Sequence, residues 1–198
     1  MRKIRFEGHA IAAAVVLLFL PVAAWSGTNA HDTTGASQKP AVSAAAFMKQ
    51  AAIAGLAEVE LGRLAEQKAT SDAVKHFAKR MVDDHGKAND ELRSLASRKN
   101  VTLPNEPDAA HKATYDRLSK LSGNEFDRAF MDTMAKDHAA AVALFEQASQ
   151  STDNDVQAFA SRILPTLHDH QDSAQQIVAS RSGRDDMTAG RPRDRSAK

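Results

Sequence analysis

At 198 residues and a net charge of +1, the chain has room for one ordinary domain plus extensions and offers no overall basic field to nucleic acid. It has no cysteine, which excludes disulfides, thiolate zinc sites, iron–sulfur clusters and a lipid-modified N-terminal cysteine. One Trp, one Tyr and few strand-favouring runs, against abundant Ala, Leu, Lys, Asp and Glu, point to an all-α protein.

Taken in chain order, the N-terminus reads as a targeting signal. Arg2, Lys3 and Arg5 precede an apolar run from Ala10 to Leu20, which is too short to span a bilayer comfortably. Pro21 breaks that run, and small residues follow at Val22-x-Ala24 and Ala24-x-Ser26, as a signal peptidase requires. Residues 1–26 are expected to be cleaved after Ala24 or Ser26, with export to the periplasm and no stable membrane insertion afterwards. They hold three basic residues and one acidic, so the remaining chain carries −1 rather than +1. Residues 27–43, rich in Gly, Thr, Asn, Ser, Ala and Pro, are expected to form a flexible leader.

Four long helices and one short helix are expected next. The first runs from Ala44 to Ala69, and Thr70-Ser71-Asp72 marks the break before the second, Asp72 to Lys99. Asn100 and Pro104 end the second. A short helix spans Pro107 to Ser122 and closes at Gly123. The third long helix runs from Asn124 to Gln150. Asp153 is placed to cap the fourth, Asp155 to Ser180. At 1.5 Å per residue each long helix measures about 39 Å, so the expected fold is an antiparallel four-helix bundle with one short extra helix. Residues 181–198 carry six basic and three acidic residues and no apolar face; a disordered tail is expected there, with at most loose association to the envelope.

Helical phase divides inward from outward positions. The first long helix has the stripe Phe47, Ala51, Ala54, Leu61 and Ala65, which Glu58 interrupts, while Glu60 falls on the polar face with Lys49 and Gln67. The second has Val74, Phe77, Ala78, Met81, Ala88, Leu92 and Leu95, with His85 at the centre. The third has Phe130, Met134, Ala141 and Phe145, with His138 on the face and Asp137 at its edge. The fourth follows Val156, Ala160, Ile163, Leu167, Ala174 and Ile177, with His170 in the seam and His168 and Asp169 pointing elsewhere. Pro165 lies inside this last helix, where it removes a backbone donor.

Glu58, His85, His138 and His170 each lie within about three residues of a helix midpoint, or roughly 5 Å along the axis. A carboxylate and three imidazoles buried at one level are costly unless they satisfy one another or share an ion. Imidazole suits Zn, Cu or Fe, so these four are the expected metal ligands. Asp137, Met81 and Met134 are named as auxiliary ligands. A thioether would suit copper, although Met is more often a flexible core filler. The spacing Phe77-x3-Met81-x2-Asp84-His85 repeats as Phe130-x3-Met134-x2-Asp137-His138, which suggests two related helical hairpins.

At these residues the chain resembles a known family. The matching segments are Gly55 to Gly62, Phe77 to His85, Phe126 to Met131 with Asp137-His138, and Leu164 to Leu167 with His170. They resemble domain of unknown function 4142, an exported bacterial ferritin-like family often labelled predicted outer membrane protein. The resemblance covers about residues 44–180. It implies a ferritin-like four-helix bundle in the cell envelope and no settled activity.

Di-iron bundles use Glu on two helices and Glu-x-x-His on two others. Here Val82, Ala135 and Leu167 precede the inward histidines by three residues, and none can ligate. A mononuclear histidine-rich site is therefore expected rather than a ferroxidase, and no nucleophile elbow or phosphate loop suggests another enzyme. Two functions are expected to compete. One is envelope metal binding for sequestration, sensing or stress protection. The other is a non-catalytic structural or stress-related bundle whose polar layer sets helix register.

Overall fold

The structure, a computed structural model, describes residues 42–189, with side chains through residue 181. The chain divides into two units, Met1–Ser37 and Gln38–Lys198, and every described residue lies in the second. The expected signal peptide at residues 1–26 and the leader up to residue 41 lie outside the described residues.

All regular structure among the described residues is helical: α1 (Ala44–Lys68), α2 (Asp72–Arg98), α3 (Ala109–Ser119), α4 (Gly123–Ala148) and α5 (Asn154–Ala189). None of these helices is long and apolar enough to cross a membrane. The boundaries follow local chemistry. The Ser43 hydroxyl caps α1 by accepting from the amide of Ala46. Asp108 caps α3 through the amide of His111, and Asp153 accepts from the amides of Asp155 and Val156 at the start of α5. Asn100 ends the α2 segment at φ 55°, a left-handed conformation that Asn tolerates. Gly123 takes φ 57° at the first position of α4, where a side chain would be strained.

Two helices differ most from expectation. The short helix starts two residues after Pro107 and ends three before Ser122, because Asp108 rather than Pro107 supplies the cap. The last helix does not stop at Ser180. It runs through Pro165 and on to Ala189, so residues 181–189 are helical where a disordered tail was expected. Arg181 gives this extension an anchor, since its guanidinium binds the buried Asp127 carboxylate at 3.2 Å. Residues 190–198 of the expected tail lie outside the described residues.

α1 packs along α2 and α4 along α5; the two pairs meet through α1 with α4 and α2 with α5, and α3 rests on α1 and α4. The interior holds two apolar clusters. One joins Phe47 and Met48 of α1, Leu92 and Leu95 of α2, Phe145 of α4, and Phe159 and Leu167 of α5. The other joins Leu61 and Leu64 of α1, Phe77 and Met81 of α2, Phe130 and Met134 of α4, and Ala174 of α5. Each cluster combines one end of α1 with the opposite end of α2. Edge-to-face ring pairs tie the helices within each: Phe47 with Phe145 at 5.1 Å, and Phe77 with Phe130 at 6.3 Å.

Gly62 permits the close approach of α1 and α2. A Cβ there would lie 2.9 Å from Val82 Cγ2 and 3.2 Å from the Ala78 carbonyl oxygen. A Cβ on Gly55 would overlap the Asn89 side chain. Asp127 of α4, fully buried, closes the bottom of the α1–α2 turn. It accepts from the amides of Thr70 and Ser71 and from the Thr70 hydroxyl.

Candidate metal centre

Between the two apolar clusters lies a polar layer. α1 contributes Glu58, α2 His85, α4 His138 and α5 His170, all buried. Each sits on the apolar face of an amphipathic helix, so packing that face carries the polar group inward with it. The three imidazole centroids form a nearly equilateral triangle: 5.5 Å from His85 to His138, 5.3 Å from His85 to His170 and 5.4 Å from His138 to His170. One ring nitrogen from each lies within 4.8 Å of the other two. Phe77 walls the triangle on one side, 6.3 Å from both His138 and His170.

Each imidazole has one nitrogen engaged from outside the triangle. His85 Nδ1 meets Glu58 Oε2 at 2.9 Å. His138 Nδ1 donates to the Met134 carbonyl at 2.9 Å, one turn back on its own helix. His170 Nε2 meets Asp84 Oδ2 at 3.1 Å. A carbonyl or carboxylate oxygen accepts, so these nitrogens carry the protons. The other three, His85 Nε2, His138 Nε2 and His170 Nδ1, are buried with no hydrogen-bond partner among the described residues. In the neutral rings those three atoms are lone-pair donors.

Glu58 stands outside this three-nitrogen group. Its Oε2 binds His85 Nδ1 and its Oε1 lies 3.9 Å from His138 Nδ1, so it sits behind two rings, away from their Nε2 atoms. Burial alone would raise its pKa, but His85, then His138 and His170, pull it down to about 2. Burial tends to lower His85, and the Glu58 carboxylate outweighs this and raises it. Burial depresses His138, partly opposed by Glu58. Burial, with the nearby His85 and His138, brings His170 down to about 4.

The other named residues fall elsewhere. Met81 and Met134 are fully buried in the apolar cluster around Phe77 and Phe130; what Met134 gives the site is its backbone carbonyl. Asp137 is half-buried beside the layer. Burial, then the Glu58 charge, raises its pKa to about 6. Asp169 and His168 are exposed, as their helical phase implies, and so is His76. His111 pairs with Asp108 at the start of α3. Sequence reasoning missed Asp84, whose carboxylate crosses from α2 to α5. Its sequence signals are its place beside His85 and its recurrence in the Phe-x3-Met-x2-Asp-His repeat, neither of which gave it a role. It also missed Asn89, one turn beyond His85 and buried against Gly55, and the Asp127 anchor.

Several solved structures share the fold. A DUF305 fragment from Deinococcus radiodurans matches with a TM-score of 0.63 at 14% identity, covering 71% of this chain and 99% of that one. A DUF305 protein from Streptomyces coelicolor, assigned as secreted, matches with a TM-score of 0.60 at 12% identity, covering 69% and 90%. CopM in its Cu(II)-bound form matches with a TM-score of 0.59 at 16% identity, covering 69% and 95%. At such identities the likeness concerns the helical fold alone. No curated protein sequence matches. The family model described as domain of unknown function (DUF4142) matches residues 29–177, three quarters of the chain, and the protein therefore belongs to the DUF4142 family.

Proposed function

We propose that this protein is an exported, non-catalytic helical bundle that holds one divalent transition-metal ion through His85 Nε2, His138 Nε2 and His170 Nδ1. The observation that carries this is the imidazole triangle. A metal bound at about 2.0–2.1 Å stands about 3.2 Å from each ring centre, which puts the centres about 5.2 Å apart for tetrahedral angles and about 5.5 Å apart for trigonal ones. The three measured separations, 5.3–5.5 Å, fall in that interval. Glu58, the Met134 carbonyl and Asp84 then act as the outer partners that metal-bound imidazoles need: they fix the tautomer and aim the ring.

A donor set of three neutral imidazoles suits Cu²⁺ and Zn²⁺, with Cu²⁺ the tighter by the usual order of divalent affinities. The described Cu(II)-bound state of CopM supports a copper reading without assigning one. The helix pairing, with opposite helix ends sharing each apolar cluster, supports an antiparallel four-helix bundle of the ferritin-like type. The charged start, short apolar run and small residues of 1–26 support export to the periplasm, where such a bundle would sequester metal, sense it or protect against it. Intact-mass measurement of the periplasmic fraction tests this, and a chain retaining residues 1–26 in the membrane would refute it.

The metal test uses protein purified without a histidine tag. Cu²⁺ or Zn²⁺ should bind one ion per chain and raise the melting temperature, because the unfolded chain lacks the assembled site. His138→Ala should abolish the shift and His168→Ala should leave it. The competing reading is a register device, favoured by the Glu58–His85 ion pair, which balances the buried carboxylate without an ion. On that reading the wild-type chain shows no metal response, and replacing both partners together, Glu58→Leu with His85→Leu, leaves the chain folded and at least as stable.

A further inference from the structure

We infer that an ion held by the three histidines keeps one coordination position open to the cleft between α2 and α5, and that this position takes a small monodentate ligand: water, hydroxide or a small anion. The inference rests on the metal reading above and adds a ligand to it.

Three donors leave a four-coordinate ion one position short, and the two carboxylates that bind the rings are engaged at their outer nitrogens. Glu58 lies behind His85 and His138, on the side of their Nδ1 atoms. Asp84 Oδ2 is committed to His170 Nε2. A site closed by four protein ligands is structural, whereas one with three protein ligands and an open position admits exogenous ligands.

The surroundings favour one approach. Along the helix axes the layer is sealed by the two apolar clusters. A void lined by Gly55, Glu58, His85 and Asn89 together with Phe145 and Leu167 amounts to about 30 Å³, room for about one water molecule. Between α2 and α5, a cleft of about 210 Å³ has the buried His85 and His170 in its wall, together with Asp84, Lys87, Glu91 and Arg162. It runs along the stretch of α5 that contains Pro165. Its volume is below the roughly 300–1,000 Å³ of sites for larger organic ligands, so its occupant is a few heavy atoms. Lys87 and Arg162 bring two cations to the lining, against the carboxylates of Asp84 and Glu91. Arg162 is steadied by Glu91 across the mouth, Nε to Oε2 at 3.2 Å, and by the Phe159 ring.

Azide and Cu²⁺ are the probes. The copper-loaded protein should bind one azide per ion, seen as a new azide-to-copper charge-transfer band that saturates. Thr166→Trp fills the cleft and should weaken azide binding at least about tenfold while copper stoichiometry stays at one. If that variant fails to fold, Arg162→Trp at the exposed rim makes the same test. Copper bound by the triad with no azide band overturns the open position, an azide affinity unchanged by the filling variants overturns its facing the α2–α5 cleft, and either result leaves the metal reading standing. Copper that does not bind, or that survives His138→Ala, overturns both.

Discussion

Asp84 of α2 holds His170 of α5 at 3.1 Å although the two stand 86 residues apart, while its neighbour His85 points its own ring into the same triangle. One dipeptide on α2 thus supplies one imidazole of the triangle and orients another. Glu58 does for His85 what Asp84 does for His170.

If these carboxylates aim the rings, Glu58→Gln and Asp84→Asn should each weaken metal affinity about 10- to 100-fold with the fold retained. Competition against a chelator of known affinity measures this. Unchanged affinity in both variants would sink the orienting role.

The ion-free protein should lose stability as pH falls from about 6.5 toward 4. His170 titrates near 4 in the fold and His138 below its ordinary value, so in that window the unfolded chain takes up more protons than the native one. His85 works the other way. Its pKa is raised, so its contribution is full below the unfolded value and is lost as pH rises through the folded one. Glu58, held to about 2, contributes above its unfolded value near 4.5, and that contribution is lost as pH falls toward 2. Asp137, raised to about 6, offsets part of this loss over the same window, so the loss is read in an Asp137→Asn background, where two depressed histidines stand against one raised. Urea midpoints between pH 7 and 4 should fall, and His170→Leu should flatten the slope. Metal binding should weaken over the same range, since ligating imidazoles must be neutral.

Two glycines should respond with opposite sign. Gly62→Ala puts a methyl 2.9 Å from Val82 Cγ2 and 3.2 Å from a backbone oxygen, and should cost about 1–3 kcal/mol. Gly86, inside α2, has nothing within 4 Å of an added Cβ, so Gly86→Ala should stabilise by about 0.5–1 kcal/mol through helix propensity. Denaturant unfolding distinguishes them; equal effects would contradict the packing described.

Asp127→Ala leaves the Thr70 and Ser71 amides and the Arg181 guanidinium without their acceptor. The expected loss is about 2–4 kcal/mol, with metal stoichiometry unchanged because Asp127 lies outside the polar layer. A drop in stoichiometry at full folding would tie the anchor to the site.

Much of this was legible in the chain. Apolar periodicity and capping residues located five helices, and the interruptions at Glu58, His85, His138 and His170 marked the buried polar layer before any packing was considered. The exposed His168, Asp169 and Glu60 follow from phase alone. The end of α5 was misread because charge and missing apolar residues argue for disorder. One long-range ion pair, Arg181 to Asp127, is invisible to local pattern.

By itself the sequence determined the class, the helices and the depth of each polar side chain, because a 3.6-residue period converts position into direction and a 1.5 Å rise converts it into depth. Only the tertiary structure decided the chemistry at that depth. Helical phase cannot say which nitrogen of an imidazole faces its neighbours, since that depends on rotamers and on acceptors from other helices. Packing α1 against α2 put Glu58 behind His85 instead of beside it, and packing α2 against α5 brought Asp84 to His170. Those two contacts, with the Met134 carbonyl on His138, leave three ring nitrogens with no partner but one another.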